Sequence, residues 1–252
     1  MRRGTVLYPP CRKSGDFRRL DTVNQWGGDG MAEWIVYITE ILGTVAFSAS
    51  GAMIGIQRRL DLFGIVFLSV ITSFGGGILR DVVLGYFPPR MFYNFELLAL
   101  AVLVAVAVFL LTYANKMKLE KRRDTFEFVT NVIDAVGLAA FSIAGVEITV
   151  ASGYADNVVL CILMGMTTGV GGGILRDMMT RSIPYVLKKH VYALASLSGS
   201  LLFYLLSRFG VNNTASMLVA IGFIVAVRIL AAKYKWSLPK IHSSKEKEED
   251  YE

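Results

Sequence analysis

The 252-residue chain is 54% hydrophobic and only 18% charged, with two cysteines and a formal net charge of +6. Two cysteines give no disulfide framework, and a soluble domain this size would show helices with a polar face at every turn. The basic residues instead flank long apolar windows, so the positive charge points to membrane orientation rather than to nucleic acid.

Residues 1–30 read as a disordered, polar, basic tail without the apolar core of a signal peptide. Met31, just before the first apolar run, is a candidate natural start. Seven spans then follow, at roughly 34–56, 62–84, 95–115, 126–150, 157–179, 191–209 and 214–234. Each is long enough to cross a bilayer as a helix. The fourth is the most polar, since it carries Glu127, Asp134 and Glu147. The connections are short and leave no room for an extramembrane domain. Lys and Arg concentrate in the 1–2 loop (Arg58, Arg59), the 3–4 loop (Lys116, Lys118, Lys121, Arg122, Arg123), the 5–6 loop (Arg181, Lys188, Lys189) and after the last span. The other side has Arg90 and Arg208. The basic side is expected to be cytoplasmic, which puts the N-terminus outside and the C-terminus inside. The expected location is integral to a membrane.

The halves repeat. Glu40, Gly43, Phe47, Ser48 and Gly51 match Asp134, Gly137, Phe141, Ser142 and Gly145 at one constant offset. After a two-residue slip, Thr72 matches Thr168, GGGILRD from Gly75 matches GGGILRD from Gly171, and Pro88 matches Pro184. The match sets three spans against three, and an odd number turns the second copy over. The expected fold is an all-α polytopic membrane protein built as an inverted 3+3 repeat. Its parts are a first repeat over 31–125, a second over 126–213, a seventh helix over 214–236 and a polar tail over 237–252.

The triplets Gly75–Gly77 and Gly171–Gly173 fall inside the second and fifth spans. Glycine permits a kink and a close approach, and a kink frees carbonyls that need a partner in lipid. A hydrated cation is one such partner, and helix packing through small residues is the other reading. Arg80–Asp81 and Arg176–Asp177 follow the triplets. Adjacent residues point in different directions on a helix, so each arginine is expected to pair elsewhere. Glu40 lies ~9 Å in from the outer end of the first span and Arg80 ~6 Å from that side, so Glu40 is the expected partner of Arg80. Symmetry gives Asp134 to Arg176, with Asp81 and Asp177 as the next candidates. Such charges face a partner or a wet cavity. The matched hydroxyls Ser48, Ser142, Thr72 and Thr168 either line an aqueous path or bond their own helices. Phe47 and Phe141 read as core packing or a constriction, and Arg228 as a snorkelling or headgroup-binding residue. His190 and His242 have no ligand-like spacing, and no nucleophile set or metal cluster is visible, so neither an enzyme nor a cofactor is expected.

The segments GTVAFSASGAMIG, SFGGGILRDVVLG, FSIAGVE and GVGGGILRDM resemble the prokaryotic branch of the trimeric intracellular cation (TRIC) channel family, over roughly Ala32 to Pro239. The resemblance implies a seven-helix protomer with kinked second and fifth helices. It also implies a homotrimer in membrane lipid with one pore per protomer, passing potassium and also sodium. Related bacterial sequences carry a glycine-transporter label, so a carrier of a small solute working by alternating access is the second reading. The calcium, voltage and phosphoinositide responses of animal members attach to no residue here. The path expected from these arguments runs between spans two and five. It is lined by Gly75, Gly76, Gly77, Gly171, Gly172, Gly173, Thr72, Thr168, Ser48 and Ser142, with Arg80 and Arg176 flanking it.

Overall fold

The computed structural model describes residues 30–114, 123–188 and 191–234. The tails, His190 and most of the basic 3–4 loop lie outside the described residues. Seven long helices carry the chain: α1 (Gly30–Gln57), α2 (Leu62–Val83), α3 (Phe95–Ala114), α4 (Arg123–Thr149), α5 (Val158–Met179), α6 (Val191–Arg208) and α7 (Asn213–Lys233). All seven are long and apolar enough to cross a membrane, and there is no strand among the described residues. Their ends fall within a few residues of the expected spans, except that α4 continues into a wider turn over Val150–Tyr154.

Helix ends are set by local chemistry. Asp61 opens α2 by accepting the Gly64 N–H at 2.7 Å, and Asn157 opens α5 by accepting that of Leu160 at 3.1 Å. Four helices end in one motif. After α2, Gly85 N–H donates to the Val82 carbonyl and Tyr86 N–H to that of Asp81. The same pair of bonds closes α1 at Arg59, α5 at Arg181 and α6 at Gly210. The pivot residue is left-handed in each, with φ of 57° at Arg59, 78° at Gly85, 51° at Arg181 and 78° at Gly210. A Cβ on Gly85 would meet nothing within 4 Å, so Gly85→Ala isolates backbone strain. It is expected to lower stability by about 1 kcal/mol. Thermal unfolding in detergent checks this, and an unchanged midpoint would contradict it.

The packing is organised in pairs. α1 packs on α4 and α2 on α5, while α3 sits against α1 and α2 as α6 sits against α4 and α5. α7, without a counterpart, lies on α6 and α4. α1 and α4 are therefore the most enclosed spans and α3 the least. Contacts recur with the halves exchanged. Gly43 receives the Phe141 ring and Gly137 the Phe47 ring, and the two rings meet at 5.2 Å between centroids. α7 unbalances this plan. The largest apolar core joins Phe47, Leu138 and Ile143 to Tyr192, Phe203 and, on α7, Ile224. Behind α3, among the described residues, there are two small clusters, around Ile65 and Phe74.

Candidate ion pathway

The two triplets meet where α2 crosses α5. A Cβ on Gly76 would stand 2.0 Å from the Thr168 carbonyl oxygen, and one on Gly172 would stand 2.0 Å from that of Thr72. Only glycine permits this approach of backbone to backbone. Gly75 abuts Leu175, and Gly171 abuts Gly76 and Leu79. Gly77 and Gly173 point toward the arginines, with Arg80 and Arg176 Nη2 as near neighbours. Both helices run as continuous α-helix through the triplets. Neither triplet interrupts its helix, so a kink at these positions is a bend within continuous helix and not a break. The physical reason is the crossing itself: missing side chains bring the helices together without unwinding either one.

The matched hydroxyls are enclosed beside this crossing. Thr72 donates to Leu68 O at 2.6 Å and Thr168 to Met164 O at 2.6 Å. Ser48 donates across to Ala101 O on α3 at 2.6 Å. Ser142 bonds Leu138 O at 2.7 Å and shares a 2.6 Å bond with Ser196 on α6.

The charged residues form two clusters, one beyond each end of the crossing and named inner and outer after the expected orientation. In the inner cluster, Arg176 Nη1 donates to Asp134 at 2.7 Å and to Ser50 at 2.8 Å, while Nε donates to Asp177 Oδ1 at 3.0 Å. Asp177 Oδ2 accepts the Tyr185 N–H at 2.7 Å. Arg176, Asp134 and Asp177 are all buried. Arg228 is only 3% exposed and lies over the rings of Tyr192, at 4.4 Å, and Tyr185, at 5.3 Å. It is stacked inside the fold rather than snorkelling to the surface.

The outer cluster repeats half of this. Arg80 Nε and Nη2 bond Asp81 Oδ1 at 2.9 and 2.7 Å, and Asp81 Oδ2 accepts the Arg90 N–H at 2.9 Å. Each motif aspartate thus clamps its own arginine with one oxygen and the following loop with the other. Adjacent residues do pair here, contrary to the expectation from helix geometry. The arginine stem is long enough to swing its head around the helix to a carboxylate fixed by the loop.

The expected Glu40–Arg80 pair is absent: among the described residues no ion pair joins Glu40 to Arg80. Glu40 is the counterpart of Asp134, but the counterpart of Ser50 is Ala144, which offers Arg80 no hydroxyl. A cavity of about 50 Å³ occupies the place instead, lined by Glu40, Arg80, Arg90 and Asn94 and reaching Phe141, Ala144 and Thr168 of the second repeat. Sequence reasoning missed Ser50, Tyr192, Arg90 and Asn94. Ser50 escaped because pairing across the repeat was the signal used, and its mate is alanine. The other three lie in a loop or at a helix start, where no match marked them.

A bundle of two matching halves, crossed at glycines and with buried charges at both ends of the crossing, fits the plan of membrane proteins that move solutes. Comparison with known proteins makes this specific. The family model described as Glycine transporter matches residues 37–114 and again 131–208, once in each half. A UPF0126 membrane protein of Vibrio cholerae is 32% identical over 206 residues, covering 81% of this chain and 82% of that protein. A UPF0126 inner membrane protein of Escherichia coli is 32% identical over 209 residues, covering 81% and 94%. Among solved structures, a prokaryotic TRIC channel crystallised in 0.5 M KCl superposes with a TM-score of 0.72 at 32% identity, over 82% of this chain and all of that one. The TRIC orthologue of Rhodobacter sphaeroides gives 0.72 at 27% identity, over 80% and 99%. The chain belongs to the prokaryotic trimeric intracellular cation channel family. In line with these relatives it is an integral membrane protein and not an enzyme.

Proposed function

We propose that the chain is a channel for monovalent cations, passing potassium and also sodium. The path lies inside each protomer between α2 and α5. The protomers assemble as a homotrimer in a prokaryotic plasma membrane, with the C-terminus cytoplasmic. The observation that carries this reading is the superposition on a solved prokaryotic TRIC channel over 82% of the chain. The site adds a physical route. The outer cavity leads to Thr168, beside the crossing, and Thr72 holds the matching place from the other half. Arg80 and Arg176, held by their aspartates, flank this point without occupying it. Bound lipid is the only other non-protein component this reading calls for.

The test is purified protein in a planar bilayer under a potassium gradient. Discrete unitary currents that reverse toward the potassium equilibrium potential are expected. The second reading is a carrier of a small solute such as glycine, favoured by the description of the matching family model. Silent bilayers together with saturable uptake into vesicles would replace the channel with that carrier.

A further inference from the structure

One face of α6 carries a hydroxyl on each successive turn. Tyr192, Ser196, Ser200 and Tyr204 are spaced four residues apart, and all four are buried. They form one column along the helix. α5 meets this column with Gly165, Gly169 and Gly173, again four apart. A Cβ on Gly165 would stand 2.6 Å from Ser200 Oγ, and one on Gly173 would stand 3.2 Å from the Tyr192 hydroxyl. Between them Gly169 receives Ser142 Oγ, which shares its 2.6 Å bond with Ser196. Thr168 and Gly172, which meet α2, lie on another face of α5. The column is therefore separate from the central crossing.

The first repeat has no such column. Ser48 and Ser142 are counterparts, and they bond Ala101 on α3 and Ser196 on α6. The same offset sets Leu97 against Tyr192 and Ala105 against Ser200. Leu97, Ala101 and Ala105 are the buried residues of α3, so apolar side chains serve packing in this position. In α6 the hydroxyls work against stability. Those of Tyr192 and Ser200 have no hydrogen-bond partner among the described residues, and a buried unpaired hydroxyl is costly. Both ends of the column are polar. Tyr204 donates to the Ala155 carbonyl at 2.7 Å in the outer turn between α4 and α5, next to exposed Asp156. At the inner end the Tyr192 hydroxyl and Arg176 Nη2 are both neighbours of Gly173, and Arg228 lies over the Tyr192 ring. Arg176 and Arg228 are balanced there by Asp134 and Asp177, so the inner cluster sets no net charge against a proton.

We propose that the α6 column is a proton path, distinct from the cation path, joining the outer turn at Tyr204 to the inner cluster at Tyr192. The spacing supports it. Four helical residues rise about 6 Å, and two O–H···O bonds through one water span about 5.5 Å. Each gap between rungs thus takes a single bridging water. Every hydroxyl then has a donor on one side and an acceptor on the other. A proton arriving on an oxygen lone pair releases that oxygen's own proton to the next rung, so charge crosses while each group keeps its protonation state. A metal cation has to move bodily and is excluded, because the hydroxyls themselves fill the glycine groove.

The experiment follows acidification of vesicles that hold the purified full chain and a pH-sensitive dye. Valinomycin and a potassium gradient set the same inside-negative potential in every sample. Valinomycin supplies the balancing potassium flux, so cation conduction by the protein neither limits nor mimics the signal. Proton entry severalfold faster than in protein-free vesicles is expected. Combining Ser196→Ala with Ser200→Ala installs the residue type that α3 carries at both places, and it should cut the excess at least tenfold. Ser200→Ala alone and Tyr204→Phe should each cut it severalfold, which decides the matter if the double variant does not assemble. Ser198→Ala, on the exposed face of α6, should leave it unchanged. No excess over protein-free vesicles overturns the proposal on the parent protein alone. A parent-level excess in a correctly assembled Ser200→Ala variant also overturns it, because the protons then run elsewhere, and so does an equal loss in Ser198→Ala. The outcome does not depend on the channel reading. Proton entry with silent bilayers would keep the column and sink the channel, and potassium currents without proton entry would do the opposite.

Discussion

Introducing a methyl group at Gly76 or at Gly172 is expected to be among the most damaging single changes in this chain. Overpacking a core usually costs about 1–3 kcal/mol, because neighbouring side chains give way. Here the neighbour is a backbone carbonyl 2.0 Å from the new atom, which no rotamer change can relieve. The helices must separate, and the loss should reach the top of that range or exceed it. Both clashes sit on the same crossing, so the separation forced by one change largely accommodates the other. The loss in the double variant should therefore be well short of the sum. Leucine at both sites should prevent the parent fold. Thermal unfolding in detergent, with size-exclusion profiles, measures these losses. A correctly assembled leucine double variant would overturn the close backbone crossing, and unchanged unitary conductance in it would place the path elsewhere.

Removing the charge of Asp134 should cost far more than removing that of Glu40, although the two are counterparts. Asp134→Asn leaves buried Arg176 with one carboxylate instead of two, and breaking a buried pair costs about 3–5 kcal/mol. Ser50→Ala takes a hydroxyl from the same guanidinium and should cost about 1–3 kcal/mol. Glu40 takes part in no ion pair among the described residues, so Glu40→Gln should change stability by under about 1 kcal/mol. Denaturation of the three variants under one set of conditions tests the ordering. Equal losses for Asp134→Asn and Glu40→Gln would mean that the two clusters are equivalent in solution and that the outer gap does not persist.

Much of the fold was legible because bilayers enforce simple rules. Windows without charge had to be helices, and their ends could be read within a few residues. The doubled GGGILRD exposed the repeat and the helix pair that meets at its centre. Asp134 and Arg176 could be paired by carrying a depth match across the repeat, and the structure joins them at 2.7 Å. The same depth argument failed for Glu40 and Arg80. Depth fixes height in the membrane but says nothing of a third partner, and alanine at position 144 removes the one that holds Arg176. The role of the aspartate following each arginine was also hidden. Its second bond goes to a loop N–H eight or nine residues on, and no sequence pattern announces a backbone donor. The glycines also mark a close approach of two backbones, which a sequence does not separate from a bend because both call for a missing side chain.

The four left-handed helix ends sort by side of the membrane. In the proposed orientation the two arginines, Arg59 and Arg181, close helices that end at the cytoplasm, and the two glycines, Gly85 and Gly210, close helices that end outside. An L-residue in that conformation gives up roughly 1–2 kcal/mol that glycine does not. On the cytoplasmic face the chain forgoes that stability and keeps two positive charges next to its spans, where they bias which way the nascent helices insert. Glycine at both positions would make a more relaxed protein with a weaker address. The backbone turn that ends each of these helices is thus also a place where folding stability and membrane insertion compete for the same residue.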